Sequence, residues 1–365
     1  MEPSVLFKSS DSAAVVIDIP RSLEEAQVLP GRDITRRIVS SYPRETPWQI
    51  PEPKTDKTKY VSPSAAIAEL MTLESVKAAL EVARAGYHGP WCLPRVTRSR
   101  ANESEPTEAA EVDANGSTVA AQPHKRKYKP SPLALEEDKE TDSTSPHIPE
   151  QSHYLSGTVE SQRVAFLQSA PQFDLIVLDP PWPSRSVKRK SDSYATVNSM
   201  DEARKLLSQI PVASHIKRDG LVAIWVTNKA AITDLLTAPG GILAQWGLEP
   251  VGEWVWLKIT NAGEPVLDVE SAWRKPWERL LIARKTGSYV LLPTGMKVIM
   301  GVPDIHSRKP NLRGLFEDIL PKNYLGLEVF ARNLTAGWWS WGNEVLFFQQ
   351  GHHWLPLEDE RDSRL

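Results

Sequence analysis

Hydrophobic positions fall along this chain in three textures. Over residues 1–60 they come as short bursts. SVLFKS and AAVVIDIP read as a strand pair, and RSLEEAQ as a short helix opened by Ser22 with Glu24 and Glu25 in its first turn. Residues 40–63 are rich in proline and charge and read as irregular. From Ser64 to Gly86, SAAIAELMTLESVKAALEVARAG repeats apolar positions at three and four, the period of an amphipathic helix, and stops at a glycine. Between about Thr97 and Gln151 large apolar residues nearly vanish among Ser, Thr, Glu, Pro, Ala and Lys. Such a stretch cannot bury enough surface to offset its ordering entropy, and a disordered linker is expected.

From about 160 to 350 apolar runs return in strand-sized pieces: FDLIVLD, LVAIWVT, GEWVWLKI, ERLLIARK, YVLLP, VIMGV, LGLEVF and EVLFFQ. Helical stretches lie between several of them, at 199–209, 229–237 and 311–320. This alternation predicts an α/β layer on a mostly parallel, buried sheet. The expected organisation is an N-terminal accessory region of α+β character over 1–96, the linker over 97–151, an α/β domain over 152–352 and a flexible tail over 353–365.

Composition narrows the chemistry. The chain has 365 residues, 41% of them hydrophobic, and a formal charge of -3, so any affinity for nucleic acid must be local. Cys92 stands alone, which excludes an intrachain disulfide and a cysteine metal cluster. GxGxxG, GxxxxGK[ST] and HExxH patterns are absent, and no metal site is expected. The chain does not open on a basic stretch followed by an apolar one, and no run of about 18 apolar residues predicts a membrane span. Ten of the 13 tryptophans lie between Trp182 and Trp341, which points to a core or site rich in aromatic faces.

The stretch FDLIVLDPPW, 173–182, carries the strongest chemical signal. Ligands of open α/β sheets bind at the carboxyl ends of the strands. There Asp179 is followed by Pro180 and Pro181, which hold the backbone extended and offer no N–H of their own. The result is a stiff set of acceptors, one carboxylate plus carbonyls, suited to an amino group with two hydrogens. Trp182 adds a flat face for a planar ring. Acceptors for both N–H groups push electron density onto a delocalised ring amine and favour its attacking form, and placement in line with an activated methyl group supplies the rest. The bland alternative is that the prolines punctuate the strand and Trp182 packs in the core.

DPPW after an apolar strand resembles the MT-A70 family of S-adenosylmethionine-dependent adenine-N6 methyltransferases. SVKRKSDSYAT (186–196), WVTN (225–228), EWVWLKITNAGE (253–264), HSRKP (306–310) and LEVFARNLTAGWWSWGNEVLFFQ (327–349) are similar, in order, to its branch called methyltransferase-like protein 4. The opening SVLFKS…VVIDIPRSLEEAQ is loosely similar too. The resemblance implies a Rossmann-like fold in permuted order, with the catalytic strand before the strand that ends at the cofactor, and S-adenosylmethionine as cofactor. It implies Asp179, Pro180, Pro181 and Trp182 as the catalytic motif and Lys309 as the cation for the cofactor's carboxylate. Arg332 and Asn333, with Asn343 and Glu344, would serve its ribose and adenine. Tyr194, with Lys188 and Arg189 in the same loop, would face the acceptor base and phosphate, and Lys275, Trp277 and Glu278 would lie beside the catalytic face. The segment before Phe173, SQRVAFLQSAPQ, offers no acid for the cofactor's amine, and that contact is unassigned.

The resemblance implies RNA as substrate, at an internal 2′-O-methyladenosine of a U2-type small nuclear RNA, with adenine in DNA and a non-catalytic nucleic-acid scaffold as the alternatives. It also implies a monomer. The basic cluster HKRKYK, 124–129, reads either as solvated charge or as a nuclear-import signal, and a nuclear location is expected, with the cytoplasm as a second one.

Overall fold

The structure is a computed structural model that describes residues 2–49, 63–97, 145–183, 197–271 and 274–357. The chain opens with β1 (Val5–Lys8) and β2 (Ala14–Ile17), then α1 (Ile19–Glu25), β3 (Arg36–Ser40), α2 (Pro63–Gly86) and β4 (Val96–Thr97). The second half runs β5 (His153–Ser156), α3 (Val159–Ser169), β6 (Phe173–Leu178), α4 (Met200–Ser208), α5 (Val212–His215) and β7 (Ile216–Val226). It continues through α6 (Ala230–Thr237), α7 (Ile242–Gln245), β8 (Leu248–Lys258), β9 (Trp277–Lys285), β10 (Lys297–Gly301) and α8 (Arg313–Phe316). It closes with β11 (Gly326–Val329), β12 (Trp339–Gly342) and β13 (Trp354–Pro356).

Ten strands form one sheet in the order β1-β2-β10-β8-β9-β7-β6-β11-β12-β5. Its pairings are parallel except β1–β2, β7–β9 and β8–β9. The fold is Rossmann-like α/β, and the strands are apolar on both faces because helices cover both. Ile176, Leu178, Ile224 and Val329 join the core cluster that also takes Phe166 of α3, Leu207 of α4 and Ile232 of α6. Leu175, Val177, Trp225, Trp254 and Trp256 point the other way, into the cluster with Leu23 of α1 and Leu315 of α8. β6 pairs with β7 on one side and β11 on the other. The strand order reverses there, and this is where an open α/β sheet leaves a crevice.

The N-terminal region, expected as an accessory unit, is woven into this sheet. β2 is fully buried and pairs in parallel with β10, Val298 opposite Ala14. The helix after it starts earlier than RSLEEAQ suggests. Asp18, not Ser22, is the N-cap, and its side chain accepts from the backbone N–H of Arg21, with Pro20 in the first turn. Proline fits there because the first N–H groups of a helix lack partners anyway.

Several other expectations need correction. YVLLP is a loop, with Tyr289 82% and Leu291 79% exposed after Gly287 (φ +80) turns the chain. EVLFFQ is a turn followed by a 3-10 helix over Phe347–Gln349. The helix expected over 311–320 is one turn, α8. The tail is ordered at its start, where Trp354 is buried and β13 pairs with β3. The linker ends sooner than Gln151, since His147 N–H donates to the Gln349 carbonyl at 2.7 Å. Most of the linker, the HKRKYK cluster and the loop with Lys188, Arg189 and Tyr194 lie outside the described residues.

Candidate active site

β6 delivers Asp179 to the carboxyl edge of the sheet. The Asp179 N–H donates to the Val329 carbonyl at 3.4 Å, so the corner is tied to the end of β11. Pro180 is buried, and Trp182 is half-buried against the core, with its indole N–H donating to the Trp225 carbonyl at 2.7 Å. Trp182 is thus anchored by edge and body, as the packing reading of the motif expects. Lys229 Nζ donates to the Pro183 carbonyl at 2.6 Å and holds the exit of the corner.

Four charged side chains meet at this edge. Lys309 Nζ lies 3.0 Å from Asp179 Oδ2 and 3.2 Å from Glu278 Oε2. Lys258 Nζ reaches the other oxygen of Glu278 at 2.7 Å. Burial opposes ionisation of Glu278, but the two ammonium groups overcome it and hold the carboxyl down at about 2. Burial likewise opposes the charge on Lys309, yet Asp179 and Glu278 keep it protonated well above the ordinary lysine value. For Asp179 burial wins: its carboxyl is pushed above the usual range, with Lys309 pulling down and Glu278 pushing up.

Beside this array a cleft of about 330 Å³, measured with its open mouth, is lined by Leu23, Val177, Trp225, Lys309, Asn311, Glu328, Asn333 and Trp338 among others. Glu328 is the functional candidate that the sequence did not offer. It sits on β11 opposite Val177. Burial, helped by Asp179, lifts its carboxyl to about 7 against the pull of Lys309. Its only signal was an acid inside the apolar run LGLEVF, on the chain-distant strand beside β6 rather than before it.

The other candidates divide. Asn333 lines the cleft. Arg332 pairs with Glu344 at 2.8 Å and stacks over Phe347 at 4.7 Å, so these two act as a unit at the ends of β11 and β12. Asn343 is exposed in the turn after β12, next to Glu344 and outside the cleft wall. Glu278 belongs to the charged array. Its neighbours turn toward α2: Trp277 is 3% exposed and packs in the cluster with Val76 and Leu80 of that helix. Lys275 is held by Glu69 of α2 at 3.1 Å and lies near the Trp277 ring. Alternation along β9 is the reason, since it turns Trp277 and Glu278 to opposite faces.

Lys309 is held from behind by an ion network. Arg308 donates to Asp304 Oδ2 and to the Val39 carbonyl, each at 2.7 Å. Ser41 N–H donates to Asp304 Oδ1 at 2.8 Å. Arg95 donates to the carbonyls of Val302 and Pro303, each at 2.9 Å. The Arg308, Asp304 and Arg95 side chains are no more than 2% exposed. The N-terminal region therefore clamps the loop that ends in Lys309. Among the described residues no cluster of histidine, cysteine or acids could hold a metal, and no helix is long and apolar enough to cross a membrane.

The MT-A70 family model matches residues 173–344, from the first residue of β6 to Glu344. The chain is 47% identical to the N6-methyladenosine RNA methyltransferase MTA1 of Cryphonectria parasitica, over 96% of this chain and 94% of that one. It is 44% identical to the protein of the same name in Pyricularia oryzae, over 99% and 98%. The N(6)-adenine-specific methyltransferase METTL4 of Mus musculus is 36% identical over 58% of this chain and 45% of its own length. Likeness of this extent, along nearly the whole chain with two relatives and over residues 173–344 with the family model, means that the chain belongs to the MT-A70 family.

Proposed function

We propose that the chain transfers a methyl group from S-adenosylmethionine to N6 of an adenine in RNA. The observation that carries the reading is the meeting of the Asp179 carboxylate and the Lys309 ammonium at 3.0 Å on the open edge of the sheet, beside the cleft. The donor set suits a zwitterionic amino acid joined to a nucleoside. Lys309 fits the carboxylate, Glu328 the ammonium, and Asn333 with the Arg332–Glu344 pair the ribose hydroxyls. Trp225 and Trp338 supply apolar wall.

When bound, S-adenosylmethionine supplies a methyl group activated by a sulfonium. The residues do the rest by positioning. A carboxylate arriving at Lys309 competes with Asp179 for that cation and leaves Asp179 free to accept from the N6 amine. The corner of Asp179 and the two prolines then holds the amine by its hydrogens, with Trp182 closing one side. Transfer leaves N6 positively charged with one proton to lose. The Asp179 carboxylate, raised by burial, is the adjacent acceptor.

RNA is favoured because the relatives matched along the full chain are named RNA methyltransferases. DNA is the second reading, because a relative from Caenorhabditis elegans, 36% identical over 58% of this chain, is named a DNA N6-methyl methyltransferase. The finer reading is an internal 2′-O-methyladenosine of a small nuclear RNA, acted on by a monomer in the nucleus; the family resemblance and the HKRKYK cluster support it. The test is methyl transfer from labelled S-adenosylmethionine to three oligonucleotides: one with 2′-O-methyladenosine, its unmethylated RNA twin, and DNA of the same sequence. Transfer to RNA in preference to DNA is expected. Preference for DNA supports the second reading, and no transfer to any of the three overturns the proposal.

A further inference from the structure

Residues 41–48, SYPRETPW, have no regular secondary structure, yet their backbone is fixed along the carboxyl edge of the sheet. At one end Ser41 N–H donates to Asp304 in the loop after β10, and the Ser41 carbonyl accepts from Arg95 at 3.2 Å. In the middle the Arg44 carbonyl accepts from Asn261 N–H at 2.9 Å, and at the far end Trp48 N–H donates to the Val266 carbonyl at 2.8 Å. Asn261 and Val266 belong to the loop that follows β8 and begins one residue after Lys258. The segment exposes its two aromatic side chains although its backbone is tied down: Tyr42 is 53% and Trp48 40% exposed. The Arg44 guanidinium stands 4.4 Å over the Trp48 ring, so one aromatic face is held in place by a cation.

β8 stands three strands from β6 across the same edge, with β9 and β7 between. At roughly 4.8 Å per strand the separation is about 14 Å, or about four stacked nucleotides at roughly 3.4 Å each. We propose that residues 41–48 are a stacking platform for the nucleic-acid strand flanking the target adenine, with Tyr42 and Trp48 taking bases on their rings. This rests on the nucleic-acid methyltransferase reading above. The segment carries one cation, Arg44, and one acid, Glu45, so its formal charge is zero. Its contribution to affinity is therefore stacking, which salt scarcely weakens, unlike phosphate contacts.

The test uses the full chain with two adenine-containing RNAs, a single-stranded 16-mer and a trinucleotide. Affinity is read by fluorescence anisotropy at several salt concentrations, transfer by label incorporation, and folding by thermal melting. Trp48→Ala is expected to weaken 16-mer binding about tenfold, and the double change with Tyr42→Ala further. The slope of affinity against salt, the trinucleotide KM, the affinity for S-adenosylmethionine and the melting temperature should stay as in the wild type. Trp48→Phe should recover most of the loss. Unchanged 16-mer affinity in the double variant overturns the platform, as does an equal loss on the trinucleotide or a flattened salt slope. If the wild type binds the 16-mer through Trp48 but transfers no methyl group to any substrate, the methyltransferase reading fails and the platform stands.

Discussion

Lys309 Nζ sits between two carboxylates, 3.0 Å from Asp179 and 3.2 Å from Glu278, and so ties the corner after β6 to β9. Because Glu278 keeps Lys309 charged without Asp179, Asp179→Ala should leave cofactor affinity within a few-fold of wild type. It should cut transfer by about 100-fold or more, the scale seen when a placed polar group is removed from a reacting centre. Calorimetric titration with S-adenosylmethionine and a single-turnover assay separate the two effects. Full turnover in the variant would end the role given to the carboxylate.

Lys309→Met leaves Asp179, Glu278 and Glu328 near one another with less positive charge among them. Their carboxyls should then hold protons more tightly, so acid relieves the repulsion. The variant should melt well below wild type at pH 8 and much closer to it at pH 5, and cofactor binding should be lost at both. Melting curves across that range, with binding measured alongside, check the sign.

Glu328 gives a slope of its own. Its carboxyl titrates near 7 in the folded chain against about 4.3 when unfolded. Between those values the folded state holds more proton, so its contribution to stability falls as pH rises through 7 and is flat above. Glu328→Gln should remove that fall and melt higher than wild type at pH 8. Its affinity for S-adenosylmethionine should drop if the acid meets the cofactor's ammonium, and an unchanged affinity would withdraw that assignment.

Asp304→Ala removes the carboxylate that two buried guanidinium groups share, Arg308 at 2.7 Å and Arg95 at 3.7 Å, and leaves them only carbonyl partners among the acceptors described above. Breaking a buried pair from one side costs about 3–5 kcal/mol. The loop carrying Lys309 loses its clamp as well, so the KM for S-adenosylmethionine should rise more than kcat falls. Chemical denaturation and steady-state kinetics with varied cofactor test both halves.

What the sequence made legible follows local pattern. The strand FDLIVLD announces itself because all six residues of β6 are buried and a rigid corner follows. Lys309, Arg332 and Asn333 were found through motif resemblance. Glu328 was not, because an acid in a strand looks like an ordinary solvent-facing position until the neighbouring strand is known. Helix α3 escaped because only Val159 and Phe166 of its eleven residues are buried, leaving a weak periodic signal. EVLFFQ misled in the opposite direction. Its apolar residues serve a compact turn in which Phe347 and Phe348 pack edge to face beneath Arg332. The joining of residues 1–97 to the sheet was hidden as well, since partners so distant in the chain leave no local trace.

The parallel pairing of β2 with β10 brings the start of the chain beside a strand near its end. On the ribosome, then, β2 emerges long before the neighbour that will flank it, and the loop from Asp304 to Lys309 is tied to Ser41 only after both have been made. Topologies dominated by such remote contacts assemble slowly. A truncated or stalled product of this gene would lack the Lys309 loop even if Asp179, Pro180, Pro181 and Trp182 had already been made.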